Sequence, residues 1–189
     1  HNGERVTDAA TLDVVEMVLT GQVNKQLVLA LLEAGVDALG LSGVDRGLLR
    51  VERWSQEMGL VGRIVAVRAE VLDGLCGQGV VPVISPISIG PEGRYNVNAD
   101  HAAGAIAGAI SAARAVFLTN VPGVLREGAV IPRLTAREAD ALIAEGVISG
   151  GMIPKVNAAL DGLNGGVAMT VITDLNGLRA GSGTAFVRE

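Results

Sequence analysis

Helical and strand patterns alternate along almost the whole chain, and this alternation limits the fold more than any other feature. Apolar residues recur at helical spacing in several segments that end at glycine, and short aliphatic runs follow those glycines. Alternating helices and strands are typical of a sheet covered by helices on its faces. The sequence therefore predicts the α/β class, as a three-layer α/β/α sandwich with a mainly parallel sheet.

The composition is consistent with such a fold and excludes several partners. Hydrophobic residues make up 49% of the 189 residues but aromatic residues only 2%, so aliphatic side chains must form the core, as in buried parallel strands. The net charge is −5 and there is no basic run, which argues against nucleic acid or an anionic membrane as the main partner. The single cysteine, Cys76, excludes an internal disulfide and suits a reducing cytoplasm.

The longest apolar stretch, residues 102–118, contains Gly104 and Gly108 four positions apart. That spacing also occurs where two transmembrane helices pack together. However, Ser111 and Arg114 interrupt a run that is shorter than the ~18 apolar residues of a membrane-spanning helix. We expect no membrane span here, but a helix whose small residues lie close against a sheet.

The first part of the chain is predicted to contain two helices. Thr7 can cap a helix over residues 8–20, which Gly21 would end, and a second helix is expected over residues 23–34. The first helix carries more apolar side chains than one sheet face needs. The pattern alone leaves open whether it is buried inside the monomer or contacts another subunit.

One connection near the end of the chain looks too short. Only residues 175–180 separate two predicted strands, whereas a crossover between parallel strands needs about a dozen residues. Either residues are missing from this segment or the edge of the sheet is altered.

Common catalytic patterns are absent from the sequence. It has neither a P-loop nor a dinucleotide-binding fingerprint. Two histidines, His1 and His101, and one cysteine cannot form a conventional zinc site. Phosphoryl transfer needs different groups, because charge on the transferred group calls for cations, backbone N–H groups and accurate positioning rather than a nucleophilic side chain.

A glycine turn before a helix offers such groups. In the segment Ile148–Lys155, which reads ISGGMIPK, Gly150 and Gly151 permit close backbone approach. The helix expected from about Ile153 presents free N–H groups and the positive end of its dipole, with Lys155 beside the same anion. The residues alone also allow an ordinary glycine turn followed by a surface lysine.

A second polar cluster follows a predicted buried strand. Asn96, Asn98 and Asp100 lie between that strand and a helix, where ligands bind in open α/β sheets. Asp100 could equally be a carboxylate that caps the helix.

These segments resemble acetylglutamate kinases of the amino-acid kinase family, whose patterns read NVNAD and GGMIPK. The resemblance extends from Arg5 to about Thr173. It implies ATP-dependent phosphorylation of the γ-carboxylate of N-acetyl-L-glutamate, in arginine biosynthesis in the cytoplasm. It also implies that Mg²⁺ accompanies ATP without a protein ligand, and that a homodimer forms through the helix over residues 8–20.

The resemblance also assigns roles to individual residues. Asp100 and Lys155 are expected to be catalytic, with Asp100 orienting the active-site lysines, and Arg5 and Asn96 to bind the amino-acid substrate. Nucleotide-binding residues are expected in two segments: Asn120, Val121, Pro122, Gly123 and Val124, then Ile148, Ser149, Gly150, Gly151, Met152 and Lys155. In the first segment Asn120 replaces the acidic residue that is usual in the family.

By the same resemblance, residues 1–95 are the remainder of an amino-acid-substrate lobe and residues 96–189 a nucleotide-binding lobe. The family's first-strand K-x-G-G and its G-G-G-P loop have no counterpart here, so we expect the sequence to begin within a longer chain. Two other functions are compatible with the residues. One is a kinase of the same fold that acts on aminoadipate attached to a carrier protein, and the other a non-catalytic nucleotide- or effector-binding module.

Overall fold

The computed structural model describes residues 6–188. Contacts between residues divide the chain into two compact units, His1–Ala102 and Ala103–Glu189. The two functional lobes proposed from the sequence, residues 1–95 and 96–189, stay a prediction, because compactness alone does not assign a function to either unit.

The first unit begins with one long helical segment. It consists of α1 (Ala9–Glu16), a π-helical segment (Met17–Val23) and α2 (Asn24–Glu33). The expected break at Gly21 was wrong. The backbone stays right-handed and helical at both ends of the π-helical segment, because a wider turn keeps hydrogen bonds that a break would lose.

The strands of the first unit form two sheets. The strands β1 (Ala38–Ser42) and β4 (Val81–Ser85) are parallel to each other. The buried Asn24 fixes α2 to this pair, because its side-chain amide donates to the carbonyl oxygens of Leu41 at 3.2 Å and Val83 at 2.8 Å.

The second sheet of this unit consists of the strands β2 (Leu49–Arg53), β3 (Gly62–Val67), β5 (Ile87–Gly90) and β6 (Gly93–Asn96). Their order in the sheet is β3-β2-β5-β6. The pairs β2/β3 and β5/β6 are antiparallel, and β2 and β5 are parallel. The helix α3 (Ala69–Gly77) connects β3 to β4.

The helix α4 (Ala99–Ala109) follows. The elements of the second unit are then β7 (Arg114–Leu118), β8 (Leu125–Arg126), β9 (Ala129–Val130), β10 (Arg133–Leu134), α5 (Ala136–Ala144), α6 (Met152–Asn164), β11 (Met169–Thr173), α7 (Leu175–Ala180) and β12 (Thr184–Phe186). Four of these strands form a sheet of order β10-β12-β11-β7, and β8 and β9 form a hairpin. The core of this unit consists of aliphatic residues and two phenylalanines of the sheet, Phe117 and Phe186.

The orientation of β12 explains the short connection near the end of the chain. The strands β11 and β12 are antiparallel neighbours, so no crossover is needed and the six-residue helix α7 suffices to join them. Gly181 ends α7 in the left-handed conformation, with φ of 69°. The predicted α/β class is therefore confirmed, with sheets that mix parallel and antiparallel pairs.

The two glycines of α4 lie close against a helix, whereas the sequence predicted that the small residues here lie against a sheet. A Cβ atom on Gly104 would lie 2.9 Å from the carbonyl oxygen of Ala158 in α6, and one on Gly108 would lie 2.9 Å from that of Gly165. Glycine at both positions lets the two backbones approach. Among the helices of residues 6–188, none combines the length and apolar character needed to cross a bilayer.

Candidate functional site

The side chain of Asn96 lies at the end of β6 and bonds to a buried threonine. Its amide donates to the hydroxyl of Thr7 at 3.2 Å, and its backbone N–H donates to the carbonyl of Leu60 at 2.9 Å. Thr7 was expected to cap the first helix, but Asp8 is the cap, accepting from the N–H of Thr11 at 2.7 Å. Thr7 instead ties the start of the described chain to Asn96.

A glycine makes this arrangement possible. A Cβ atom on Gly59 would lie 2.4 Å from the carbonyl oxygen of Thr7, and Gly59 has φ of 69°, which disfavours other residues. The N–H of Thr7 donates to the carbonyl of Met58, and the carbonyl of Thr7 accepts from Leu60 at 2.7 Å. Arg5, the predicted carboxylate ligand, lies outside the described residues.

Asn98 caps the helix that carries Asp100. Its side-chain oxygen accepts from the backbone N–H of Asp100 at 2.9 Å and of His101 at 3.4 Å. Asp100 is therefore in the first turn of α4, half-buried, and is not itself the cap. Asn96, Asn98 and Asp100 thus follow the end of β6 in the first unit, and a ligand site at this position stays a prediction.

The loop from Asn120 to Val124 is held by a buried threonine of β12. The backbone N–H of Val124 donates to the hydroxyl of Thr184 at 2.8 Å, and that hydroxyl donates to the carbonyl of Ile131 at 2.7 Å. Gly123 has φ of 150° and passes so close that a Cβ atom would lie 2.6 Å from the same hydroxyl. Asn120 is exposed at the open side of this loop.

The helix after the glycine turn, α6, begins at Met152, one residue before the predicted start at about Ile153. Ile148 is buried, whereas Ser149, Gly150 and Gly151 are exposed. No side chain caps α6; the backbone N–H groups of Met152 and Ile153 instead donate to the carbonyls of Ser149 and Gly150, both at 3.2 Å. A Cβ atom on Gly150 or Gly151 would meet nothing within 4 Å, so this turn faces open space.

Lys155 and Pro154 lie at the beginning of α6, both half-buried. Pro154 occupies the first turn, where a missing N–H costs no helical hydrogen bond. The two predicted nucleotide segments share one core, because Val124 and Ile148 belong to the same buried cluster. The positive end of the α6 dipole and an ammonium group thus lie at the same exposed turn, which is suited to a polyphosphate.

A cavity of about 480 Å³ lies along β7, β11 and β12. Val116, Val171 and Arg114 line it, and of the predicted nucleotide residues only Pro122 does so in the described part of the chain. The glycine turn is thus separate from this cavity. Within residues 6–188, no group of three or more His, Cys, Asp or Glu side chains is placed to hold a metal ion.

Sequence reasoning missed Thr7 as a partner of Asn96 and Thr184 as a partner of the loop at Val124. Both threonines have no exposed surface, and both bond to residues more than fifty positions away. The sequence carries no local signal for these partners, because a hydroxyl must find a hydrogen-bond partner within the protein only once it is buried.

Known proteins resemble this chain along its whole length. Residues 1–174 match the model of the amino acid kinase family. An acetylglutamate kinase of Roseiflexus sp. (strain RS-1) is 56% identical over 190 residues, covering 99% of this chain and 72% of the relative. One of Chloroflexus aurantiacus is 49% identical over 190 residues, covering 98% and 74%. The crystal structure of a Streptococcus mutans protein, smu.665, superposes with a TM-score of 0.91 at 29% identity, covering 100% and 76%.

Proposed function

This chain belongs to the amino acid kinase family, and we propose that it acts as an acetylglutamate kinase. The reaction joins a γ-carboxylate oxygen of N-acetyl-L-glutamate to the γ-phosphorus of ATP and releases ADP. The observation that carries the proposal is the identity of 56% to an acetylglutamate kinase over 99% of the chain. Nothing in the described residues favours aminoadipate on a carrier protein as the substrate.

The nucleotide would bind at the start of α6. Gly150 and Gly151 leave room for phosphate oxygens at the positive end of the α6 dipole, and Lys155 adds a positive charge. The loop from Asn120 to Val124, held by Thr184, would contact the same nucleotide. Such groups stabilise the charge that spreads over the oxygens of the transferred phosphoryl group.

The amino-acid substrate would bind near the end of β6. Asn96, held by Thr7, would donate a hydrogen bond to it, and Arg5 would pair with a carboxylate as a bidentate fork. Asp100, in the capped first turn of α4, would orient the active-site lysines.

The chemistry explains why this site needs no histidine or cysteine. The attacking carboxylate is already ionised at neutral pH, so no general base has to remove a proton. Positioning and charge stabilisation are the main tasks left to the protein. Magnesium would be carried chiefly by the ATP phosphates, and we assign it no protein ligand.

The surface of the first helical segment supports a homodimer. Val14, Met17 and Val18 are 54%, 64% and 41% exposed, which is unusual for three apolar residues on neighbouring turns. A two-fold interface would bury this same patch on both subunits. The exposed Cys76 is compatible with the reducing cytoplasm in which we place the enzyme.

Two measurements on the same preparation test the function. The first is ADP release with N-acetyl-L-glutamate and with carrier-linked aminoadipate, and we expect turnover only with the former. The second is ATP binding by calorimetry. Binding of ATP without turnover of either substrate would favour the non-catalytic module, and turnover of the carrier-linked substrate would replace the substrate assignment.

A further inference from the structure

Two aromatic rings of the first unit stack beside the start of α4. The ring centroids of Trp54 and His101 are 5.7 Å apart and their planes differ by 16°. This separation falls in the range of about 4.5–7 Å at which aromatic pairs attract one another. Trp54 is the only tryptophan of the chain, so replacing it removes no other indole contact.

The Trp54 side of the stack is anchored in the second sheet of the unit. Trp54 directly follows β2, and its backbone N–H donates to the carbonyl of Val61 at 2.9 Å. Val61 in turn forms a parallel bridge with Asn96, the predicted substrate ligand. The indole is still 43% exposed, so its contact with His101 is not required for core packing.

The His101 side of the stack belongs to the first turn of α4. The cap residue Asn98 accepts from the N–H groups of both Asp100 and His101. This cap fixes the turn along the helix axis. The contact with Trp54 restrains the same turn from the side, at the residue next to Asp100.

We propose that the stack of Trp54 on His101 is a positioning device for Asp100. A restraint on the His101 ring limits the motion of the backbone from which the neighbouring Asp100 projects. The proposal rests on the proposed function for the role of Asp100 in catalysis. The restraint itself is a property of the free protein and can be measured without turnover.

Hydrogen exchange of the backbone amides in α4 tests the restraint. Trp54→Ala and His101→Ala should each accelerate exchange in the first turn by about 2–10-fold, the range expected for losing one aromatic pair. The double variant should be no faster than either single variant, because each change already removes the stack. Trp54→Phe should restore slow exchange, and amides of α5 in the second unit should be unaffected.

Additive acceleration in the double variant, or equal acceleration in α5, would overturn the proposal. If the wild-type chain is active, Trp54→Ala should also lower kcat by about 10-fold with an unchanged KM for ATP, and Trp54→Phe should recover kcat. An inactive wild-type chain with coupled exchange would contradict the proposed function while supporting the stack. An active chain whose kcat does not respond to Trp54→Ala would contradict the positioning role.

Discussion

Replacing Gly151 with alanine separates a structural role of the glycine turn from a role in binding phosphate. Gly151 has φ of −66° and ψ of −7°, which alanine adopts without strain, and its Cβ atom would meet nothing within 4 Å. Alanine is less favourable than glycine as a helix cap by up to about 1 kcal/mol. It also reduces the entropy of the unfolded chain, which stabilises by about 0.4–1 kcal/mol. These effects nearly cancel, so the free energy of unfolding should change little.

The substitution Gly151→Ala should affect nucleotide binding much more strongly than it affects stability. If phosphate oxygens approach the backbone of Gly151, the new methyl group stands in their way and at least one charge-assisted hydrogen bond is lost. Such a bond contributes about 1.5–3 kcal/mol, so the Kd for ATP should rise by about 10–100-fold. Calorimetry with ATP measures the Kd, and urea unfolding measures the stability.

Gly74 provides a matched control for this experiment. It lies in α3 of the first unit, is exposed, and a Cβ atom there also meets nothing within 4 Å. Gly74→Ala should leave the Kd for ATP unchanged. A Kd for Gly151→Ala within twofold of the wild-type value would refute the argument that this turn holds the phosphates.

Three further predictions concern catalysis, assembly and pH. Lys155→Ala should lower turnover at saturating ATP by at least ~100-fold, about 2.7 kcal/mol of barrier, with an unchanged circular-dichroism spectrum, and near-wild-type turnover would remove this lysine from the mechanism. Met17→Glu or Val18→Glu should give a folded monomer by light scattering, since both side chains are exposed, whereas a wild-type protein that is monomeric at micromolar concentration would exclude the interface. Hydrogen bonds from the backbone N–H and the hydroxyl of Thr135 lower the pKa of Glu138. These bonds therefore contribute to the free energy of unfolding above the unfolded-state pKa of about 4.3, and the contribution is lost as the pH falls through the folded-state pKa. The stability difference between wild type and Glu138→Gln in urea unfolding should therefore shrink on acidification, and a constant difference would contradict this cause.

Local patterns were sufficient for much of the fold and the candidate site. The capping box of Thr135 and Glu138 at the start of α5 is an example of a local pattern, because its hydrogen bonds join residues three positions apart. The turn at Gly150 and Gly151 could be predicted for the same reason, since the start of a helix depends on neighbouring residues. Asn98 likewise caps α4 locally, by accepting from the backbone N–H of Asp100 two positions later.

The errors arose where distant residues decide the structure. Gly21 stays inside a helix because the π-helical segment and the anchoring of Asn24 to β1 and β4 hold the chain there, which no local signal reports. The partner of Gly104 is α6, a helix that follows about fifty residues later. The short connection before β12 is explained by the antiparallel pairing of β12, and strand direction is a tertiary property.

Phosphorus NMR of the chain mixed with ATP, Mg²⁺ and N-acetyl-L-glutamate follows the proposed reaction itself. We expect an acyl-phosphate signal that grows as ADP forms, that requires N-acetyl-L-glutamate, and that disappears when hydroxylamine traps the product. Release of inorganic phosphate without an acyl phosphate, or no change in ATP while calorimetry still detects its binding, would contradict the assignment as an acetylglutamate kinase.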